Sequence, residues 1–308
     1  MAEPKGRPHS RTWHIASGGM LLLAAVACGN SLTQPSAVPT PIATPTPAPT
    51  PPPPPRVTLI SIDGLRPDVL NDTNAPGIFG LMQRGAYTFA AQTVYPSTTL
   101  PGHASMLTGQ EPIGHGIDFD EYRTNFLLKS PTALSLVHAA GLRSVMVVGK
   151  EKFRQLNVGS NDGYYCATRG DTDVVNEAIV QIGNGFDFLF VHLPQVDAVG
   201  HASGWASPEY IEQLKLTDAD VSRLLGQLPA GTTVILTADH GGQLKSHGTK
   251  QKLDITIPWI IAGPLVVKRG VLSKPIRTVD TTPTVLGLLK LPPPRDATGR
   301  AVTEPFEP

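Results

Sequence analysis

Apolar and polar positions through residues 56–304 form a pattern that predicts strands and helices in turn. Near-continuous apolar runs predict strands at 57–62, 143–148, 186–191, 232–237 and 257–262. Apolar residues at helical spacing predict helices at 78–85, 100–107, 133–140, 171–182, 208–228 and 283–289. Apolar strands that alternate with helices are typical of a parallel sheet buried on both faces. We therefore predict an α/β fold with a doubly wound, mostly parallel sheet and helices on both faces.

The start of the chain has the composition of a targeting segment. Basic residues precede a short apolar run at 20–27, and this order predicts an export signal over residues 1–28. The residues 25–28, Ala-Val-Ala-Cys, resemble a bacterial lipoprotein cleavage box, with simple cleavage as the alternative. We expect an exported protein of the bacterial periplasm or cell surface, tethered to the membrane through a lipid on Cys28.

Proline dominates the segment that follows, residues 29–55, which ends in five consecutive prolines. Proline lacks a backbone donor and favours extended polyproline II, so this segment is predicted to be a semi-rigid linker. The metal-dependent catalytic domain is then expected over residues 56–304.

The charge balance narrows the range of partners. The chain has 25 basic and 25 acidic residues, and its formal net charge is zero. A nucleic-acid polymer is therefore not an expected partner, because binding one calls for a basic excess. A small anionic substrate remains compatible with this balance, since a bound metal would supply positive charge. We expect the protein to act as a monomer.

Three of the predicted strands run into an aspartate. Asp63 follows the first strand directly, Asp197 comes a few residues after the strand at 186–191, and Asp239 follows the strand at 232–237. Ligands of open parallel sheets bind outside the carboxyl ends of the strands, so the three carboxylates are expected to meet there. Such carboxylates would repel one another without cations between them.

Histidines accompany these carboxylates. His240 is next to Asp239, His201 lies four residues after Asp197, and His247 is the only histidine after His240. We predict one ion site of Asp63, Asp239 and His240, and a second of Asp197, His201 and His247. Mixed imidazole and carboxylate sets suit zinc better than manganese, iron or calcium, and three protein ligands with an open position are typical of catalytic zinc.

The candidate nucleophile lies in the segment 95–104, Tyr-Pro-Ser-Thr-Thr-Leu-Pro-Gly-His-Ala. We expect Thr99 at the cap position of the helix predicted at 100–107. Free backbone N–H groups and the helix dipole favour an anion such as phosphate at that position. Taken alone, this segment is also compatible with Thr99 being no more than a helix cap.

These motifs together resemble the nucleotide pyrophosphatase/phosphodiesterase branch of the alkaline phosphatase superfamily. The resemblance rests on Ser-Ile-Asp-Gly-Leu-Arg at 61–66, the nucleophile segment, Val-Asp-Ala-Val-Gly-His at 196–201 and Asp-His-Gly-Gly at 239–242. It implies an alkaline phosphatase-like fold, two divalent metal ions, a small phosphorylated substrate and a phosphothreonine intermediate. It also implies that Thr99 is the nucleophile and a ligand of the metal centre.

Two further residues are candidates for substrate binding. Asp120 stands where the family usually has an asparagine that holds a phosphate oxygen, and an ionised carboxylate cannot donate that hydrogen bond. Lys150 follows the strand at 143–148, and its ammonium group could reach a substrate anion. Solvated loop lysines are the alternative interpretation for Lys150 and for Lys152.

Three functions remain open from the sequence. The first is a two-metal hydrolase of phosphodiester or pyrophosphate bonds, which the motif similarity favours. The second is a phosphomonoesterase with the same site, and the third is a non-catalytic binding module tethered to the surface. The complete ligand set together with Thr99 argues against the binding module, and Asp120 is the only residue in its favour. The other internal histidines, including His103 and His192, are predicted to have packing or structural roles.

Overall fold

The computed structural model describes residues 55–159 and 161–307. In these ranges the strands are β1 (Arg56–Ile62), β2 (Ala86–Gln92), β3 (Ser144–Val148), β4 (Gly163–Cys166), β5 (Phe188–Leu193), β6 (Thr232–Thr237), β7 (Thr256–Ala262) and β8 (Gly270–Val271). The α-helices are α1 (Pro76–Arg84), α2 (Thr99–Thr108), α3 (Pro112–His115), α4 (Ala133–Ala139), α5 (Asp171–Gly183), α6 (Gln195–Ser203), α7 (Pro208–Leu225), α8 (Lys252–Ile255) and α9 (Thr281–Leu288). Every predicted strand and helix is present, with ends that differ by at most three residues.

The strands form one sheet in the order β4-β3-β5-β1-β6-β7-β2-β8. Neighbouring strands run parallel, except that β7 is antiparallel to both β6 and β2. One group of helices, α1, α5, α6 and α7, packs together, as does a second group, α2, α4 and α9. The predicted α/β fold with a mostly parallel sheet is thus confirmed. The central strands β5, β1 and β6 are the three that carry the predicted aspartates at their carboxyl ends.

Strands β2, β4 and β8 were not predicted from the pattern. The side chains of β2 alternate between small buried and half-exposed groups, those of β4 are mostly half-buried, and β8 has only two residues. None of these segments has the continuous apolar run that marks a strand buried on both faces. They lie towards the two edges of the sheet, where fewer side chains need to be buried.

Helix α2 begins one residue earlier than predicted. Thr98 is the N-cap, with φ −130° and ψ 165°, and Thr99 is the first helical residue, so the predicted cap role of Thr99 is wrong. Ser97, Thr98 and Thr99 are all cap-forming residue types, and the extended backbone of Thr98 decides among them. A Cβ on Gly102 would lie 2.7 Å from the backbone oxygen of Asp239. The missing side chain therefore allows the first turn of α2 to approach the end of β6.

Asp171 connects the start of α5 to α6 and α7. Its carboxylate accepts hydrogen bonds from the Gln195 amide at 3.0 Å and from the Thr217 hydroxyl at 2.5 Å. The Asp171 amide in turn donates to Oε1 of Gln195 at 2.8 Å. Burial raises the pKa of Asp171 to about 6, despite the hydrogen bonds that oppose the shift. The folded state consequently favours the neutral form of this group more than the unfolded chain does.

We expect Asp171→Asn to remove a pH-dependent part of the stability. Because the folded pKa is raised, protonation of Asp171 stabilises the fold fully below about pH 4, and this contribution is lost as the pH rises through about 6. The wild-type free energy of unfolding should therefore fall relative to that of Asp171→Asn by up to about 3 kcal/mol between pH 4 and pH 7. Denaturant unfolding at both pH values measures this difference. Exposed Asp296, replaced in the same way, should show no such pH dependence.

The predicted export signal at 1–28, with Cys28, and the linker at 29–55, except Pro55, lie outside the described residues. Among the helices of the described ranges, none has both the length and the hydropathy that a membrane span requires.

Candidate active site

The carboxyl ends of β1 and β6 bring the first candidate ion group together. Asp63 follows β1, Asp239 and His240 follow β6, and all three side chains are fully buried. Nε2 of His240 lies 3.2 Å from Oδ1 of Asp63 and 3.3 Å from Oδ2 of Asp239. The Gly64 amide donates to Oδ1 of Asp239 at 3.2 Å, which leaves Oδ2 facing this group. The three residues predicted for one ion therefore share one small volume.

The second candidate group lies beside the first. Asp197 and His201 occupy successive turns of α6, and Nε2 of His201 is 3.5 Å from Oδ1 of Asp197. His247 comes from the loop after β6, with its Nε2 3.5 Å from Oδ1 of Asp197 and 3.0 Å from Nε2 of His201. His240 lies 4.0 Å from the same Asp197 oxygen, so it connects the two groups. The candidate ligand atoms of each group all lie within 4.8 Å of one another.

Backbone carbonyl oxygens determine which ring nitrogen carries a proton in the three histidines of these groups. Nδ1 of each ring lies at hydrogen-bond distance from a carbonyl oxygen: His240 from Gly241 at 2.7 Å, His201 from Lys245 at 3.1 Å, and His247 from Ser97 at 3.0 Å. A carbonyl oxygen only accepts, so each Nδ1 carries a proton, and the neutral form of each ring would turn its Nε2 lone pair inward. Imidazoles that ligate metals typically donate their other nitrogen in this way.

The residues present fit divalent cations. In the described part of the chain, eight buried side-chain polar atoms lack a hydrogen-bond partner, and four of them face this centre: Oδ1 of Asp63, Oδ1 of Asp197, Oδ2 of Asp239 and Nε2 of His240. Leaving such atoms unpaired costs free energy, so four together indicate a missing positive partner. Nε2 of His201 and Nε2 of His247 lie 3.0 Å apart, and one cation would be a common partner for both. Carboxylate and imidazole ligands suit zinc among other divalent ions.

The pKa values of the residues in the first group reflect the close approach of several carboxylates. Burial, reinforced by neighbouring Asp63, raises the pKa of Asp239 well above its usual value. Burial would also raise the pKa of Asp63, but the Lys150 ammonium, the hydrogen bond from His192 and the nearby His240 ring hold this pKa well below its usual value. Burial disfavours charge on His240, yet Asp239 and Asp63 raise its pKa to about 10. The centre thus attracts cations strongly.

Lys150 lies between the two groups. Its ammonium is 2.7 Å from Oδ2 of Asp63 and 2.6 Å from Oδ2 of Asp197. In each carboxylate the other oxygen, Oδ1, is the unpartnered one that faces the centre. Lys150 is therefore no solvated loop lysine: it orients one carboxylate of each group. Its predicted contact with substrate stays a prediction.

The chain segment that carries Thr99 contacts both groups. Its carbonyl oxygen accepts Nδ1–H of His103 at 2.7 Å, and the same nitrogen is 3.3 Å from Oδ2 of Asp239 in the first group. On the other side, His247 of the second group donates to the Ser97 carbonyl. Thr99 is 1% exposed. Its roles as nucleophile and as metal ligand stay predictions.

His192 has more than the packing role predicted from the sequence, and His103 makes the structural hydrogen bond within the helix that was predicted for it. Nε2 of His192 lies 2.9 Å from Oδ2 of Asp63, and the Gly149 amide donates to its Nδ1 at 3.3 Å. His192 is thus a neutral donor that orients Asp63. His103 accepts the Ser61 hydroxyl at 2.8 Å and so connects α2 to β1. A histidine that ends an otherwise apolar strand, as His192 does, is the sequence signal for such a role.

Asp120 caps the helix that carries Thr99. Its Oδ1 accepts the Leu100 amide at 2.8 Å, and its Oδ2 lies 2.8 Å from the ammonium of Lys152. The structure therefore places Asp120 at the first turn of α2, and its predicted role in substrate binding stays a prediction. Its carboxylate is already occupied by two donors of the protein.

Fold and site together define an alkaline phosphatase-like α/β protein with two adjacent carboxylate–imidazole groups. The pattern of one family, Type I phosphodiesterase / nucleotide pyrophosphatase, matches residues 57–125 and 155–254, more than half of the chain. The chain belongs to this family, within the alkaline phosphatase superfamily.

Two relatives of known sequence are similar to this chain. The chain is 28% identical over 249 residues to ectonucleotide pyrophosphatase/phosphodiesterase family member 1 of Mus musculus, across 67% of this chain and 26% of the relative. It is 25% identical over 283 residues to the catalytic subunit of GPI ethanolamine phosphate transferase 3 of Mus musculus, across 82% of this chain and 26% of the relative. The chain thus spans about a quarter of the length of these relatives.

A solved structure confirms the fold. Murine ectonucleotide pyrophosphatase/phosphodiesterase 5, in an inactive form in complex with AMP, superposes with a TM-score of 0.67 at 14% identity, covering 81% of this chain and 98% of that one. At this identity the likeness extends to the fold alone.

Proposed function

We propose that the protein is a two-metal hydrolase of phosphodiester or pyrophosphate bonds that acts through a phosphothreonine on Thr99. Its substrate is a small phosphorylated molecule, and its ions, zinc by preference, are held by the two carboxylate–imidazole groups. We further propose that the protein is exported to the bacterial periplasm or cell surface, tethered through Cys28, and acts as a monomer.

One observation carries this proposal: both ion groups contact the short segment that contains Thr99. His103, four residues after Thr99, approaches Asp239 of the first group, and Ser97, two residues before it, accepts a hydrogen bond from His247 of the second. A nucleophile between two cations is the arrangement that in-line displacement at phosphorus requires. Family membership supports the same chemistry.

The residues of this chain have defined tasks in that reaction. The Thr99 hydroxyl loses its proton and its oxygen attacks phosphorus; the bond to the leaving oxygen breaks, and that oxygen departs with a proton, which leaves a phosphothreonine that still carries the other substituent of the substrate. Water then attacks phosphorus, the Thr99 oxygen leaves and regains a proton, and the remaining phosphate ester is released. Divalent ions in the two groups would lower the pKa of the attacking hydroxyl and neutralise charge on the leaving oxygen. His103 fixes the first turn of α2, while Lys150 and His192 orient the carboxylates that face the centre.

A second candidate function is transfer of the phosphoryl group to an alcohol instead of water. The alignment with GPI ethanolamine phosphate transferase 3, which extends over 82% of this chain, favours it. The two functions share the attack by Thr99 and differ only in what attacks the phosphothreonine.

Hydrolysis of bis(nitrophenyl) phosphate beside nitrophenyl phosphate tests the proposal, with protein loaded with zinc or treated with a chelator. We expect turnover that the chelator abolishes and that favours the diester. Preference for the monoester would replace the diester proposal, and no turnover of either ester with two ions bound would refute a hydrolase. A second series with added ethanolamine or glycerol distinguishes transfer: the ratio of phosphorylated alcohol to free phosphoryl product should stay low for a hydrolase and be high for a transferase.

A further inference from the structure

Asp120 and Lys152 form an ion pair at the first turn of the helix that carries Thr99. Asp120 accepts the amide of Leu100, the residue directly after Thr99, and its second oxygen is 2.8 Å from the Lys152 ammonium. The side chains of Asp120 and Lys152 are 35% and 21% exposed, so the pair is reachable from solvent but partly shielded. An incoming phosphoryl group at Thr99 would therefore meet this pair.

Neighbouring contacts hold the pair in place. Gln155, in the same short 3₁₀ turn as Lys152, accepts the Arg123 amide at 2.8 Å and donates to the Phe126 carbonyl at 2.7 Å. These two bonds connect the loop of Asp120 to the turn of Lys152. The adjacent acid, Glu121, pairs with Arg123. Asp120 is thus the carboxylate that pairs with Lys152, and the Leu100 amide and the contacts of Gln155 hold it there.

The ion pair changes the local charge next to the start of α2, where we expect the substrate to bind. Lys150, the other lysine of this loop, is engaged with Asp63 and Asp197, so Lys152 is the ammonium next to the start of α2. Asp120 cancels its charge. A phosphodiester carries one negative charge and a phosphomonoester close to two above neutral pH. A free ammonium group would stabilise the second negative charge of a monoester, whereas a carboxylate at the same place repels it.

We infer that Asp120 is a specificity-determining residue: by pairing with Lys152 beside Thr99, it makes the site favour singly charged phosphodiesters over doubly charged phosphomonoesters. This inference rests on the proposed function and names its substrate class. It also explains how a carboxylate can lie next to a phosphoryl site. Asp120 accepts a hydrogen bond from a helix amide and pairs with a lysine, and it does not act as a phosphate ligand.

Asp120→Asn tests the inference because the amide oxygen can still accept the Leu100 N–H while the charge is removed. With zinc-loaded protein we expect the ratio of kcat/KM for nitrophenyl phosphate to that for bis(nitrophenyl) phosphate to rise about tenfold or more, equivalent to about 1.4 kcal/mol. The dissociation constant for inorganic phosphate, measured calorimetrically, should fall by a similar factor. A merely structural role would lower both rates together.

Two further variants separate the ion pair from general electrostatics. Asp118→Asn removes the same charge from an exposed position two residues away, and we expect it to change the ratio less than about twofold because exposed charges are screened. Lys152→Met in the Asp120→Asn background should abolish the gain, since the freed ammonium causes it. Unfolding midpoints of all variants verify that they are folded.

An unchanged ratio and unchanged phosphate affinity in Asp120→Asn, or changes no larger than in Asp118→Asn, would overturn the inference. The outcome is separable from that of the proposed function. If the wild type with two ions bound turns over neither ester, the hydrolase proposal fails, and phosphate affinity alone still decides the role of Asp120.

Discussion

Replacing Thr99 with alanine is expected to abolish turnover while both ions remain bound. The hydroxyl oxygen of Thr99 is the atom that the proposed reaction attaches to phosphorus. Thr99 is the first helical residue of α2. Removing a covalent nucleophile costs about 10⁴-fold or more in kcat. The two ion groups consist of aspartates and histidines, so zinc content by elemental analysis should stay at two per chain.

Thr98→Ala is the matched control for this prediction. Thr98 is the neighbouring residue and the N-cap of α2, but its side chain makes no capping hydrogen bond. The same chemical change one position earlier should therefore keep kcat within about tenfold, since it neither removes the nucleophile nor uncaps the helix. Full activity in Thr99→Ala would end the nucleophile assignment. Equal loss in both variants would indicate that the segment acts through its backbone.

The second large effect is expected from His201→Ala, which should leave one ion per chain in place of two. His201 provides one of three candidate ligands in the second group, and loss of one ligand from a three-residue site weakens binding steeply. Turnover should fall by orders of magnitude because one of the two cations that neutralise charge at phosphorus is lost. The His201 side chain is 47% exposed, so its removal leaves no buried cavity. Elemental analysis after gel filtration measures the stoichiometry.

His138→Ala controls for the loss of an imidazole as such. His138 is similarly exposed, lies in α4 and contacts Asp162 at 3.2 Å, outside both ion groups. It should keep two ions and wild-type turnover. Two ions retained in His201→Ala, or the same loss in both variants, would contradict the assignment of the second group.

Chelation of the wild type should abolish turnover completely, with recovery on addition of zinc.

Much of the site could be predicted because its parts occupy positions that local sequence reveals. Asp63 and Asp239 follow long apolar runs, and the carboxyl ends of parallel strands meet at one edge of a sheet. Asp197 and His201 are four residues apart, and a helix places such residues on one face. The structure brings both predicted groups together without exchange of a member. Backbone periodicity therefore predicted the convergence of five of these six side chains, and His247, from a loop, was predicted as the only histidine after His240.

Other contacts depend on loops whose course the periodicity does not specify. The bridge of Lys150 between Asp63 and Asp197 and the pair of Lys152 with Asp120 arise because the turn after β3 passes over the ends of β5 and β1. Local sequence does not distinguish these lysines from solvated ones. His192 was likewise assigned to packing, since only its neighbour across the sheet makes it a donor to Asp63.

Strand and helix periods predicted the α/β alternation, the central strands and five of the six ion-group residues. His247 lies in a loop, and its prediction rested on its being the only histidine after His240. The tertiary structure decided the edge strands β2, β4 and β8, the start of α2 at Thr99 in place of Leu100, and the partners of Lys150, Asp120 and His192. Those features depend on contacts between segments far apart in the chain. Their free energies come from burial and charge pairing, which exist only once the sheet has assembled.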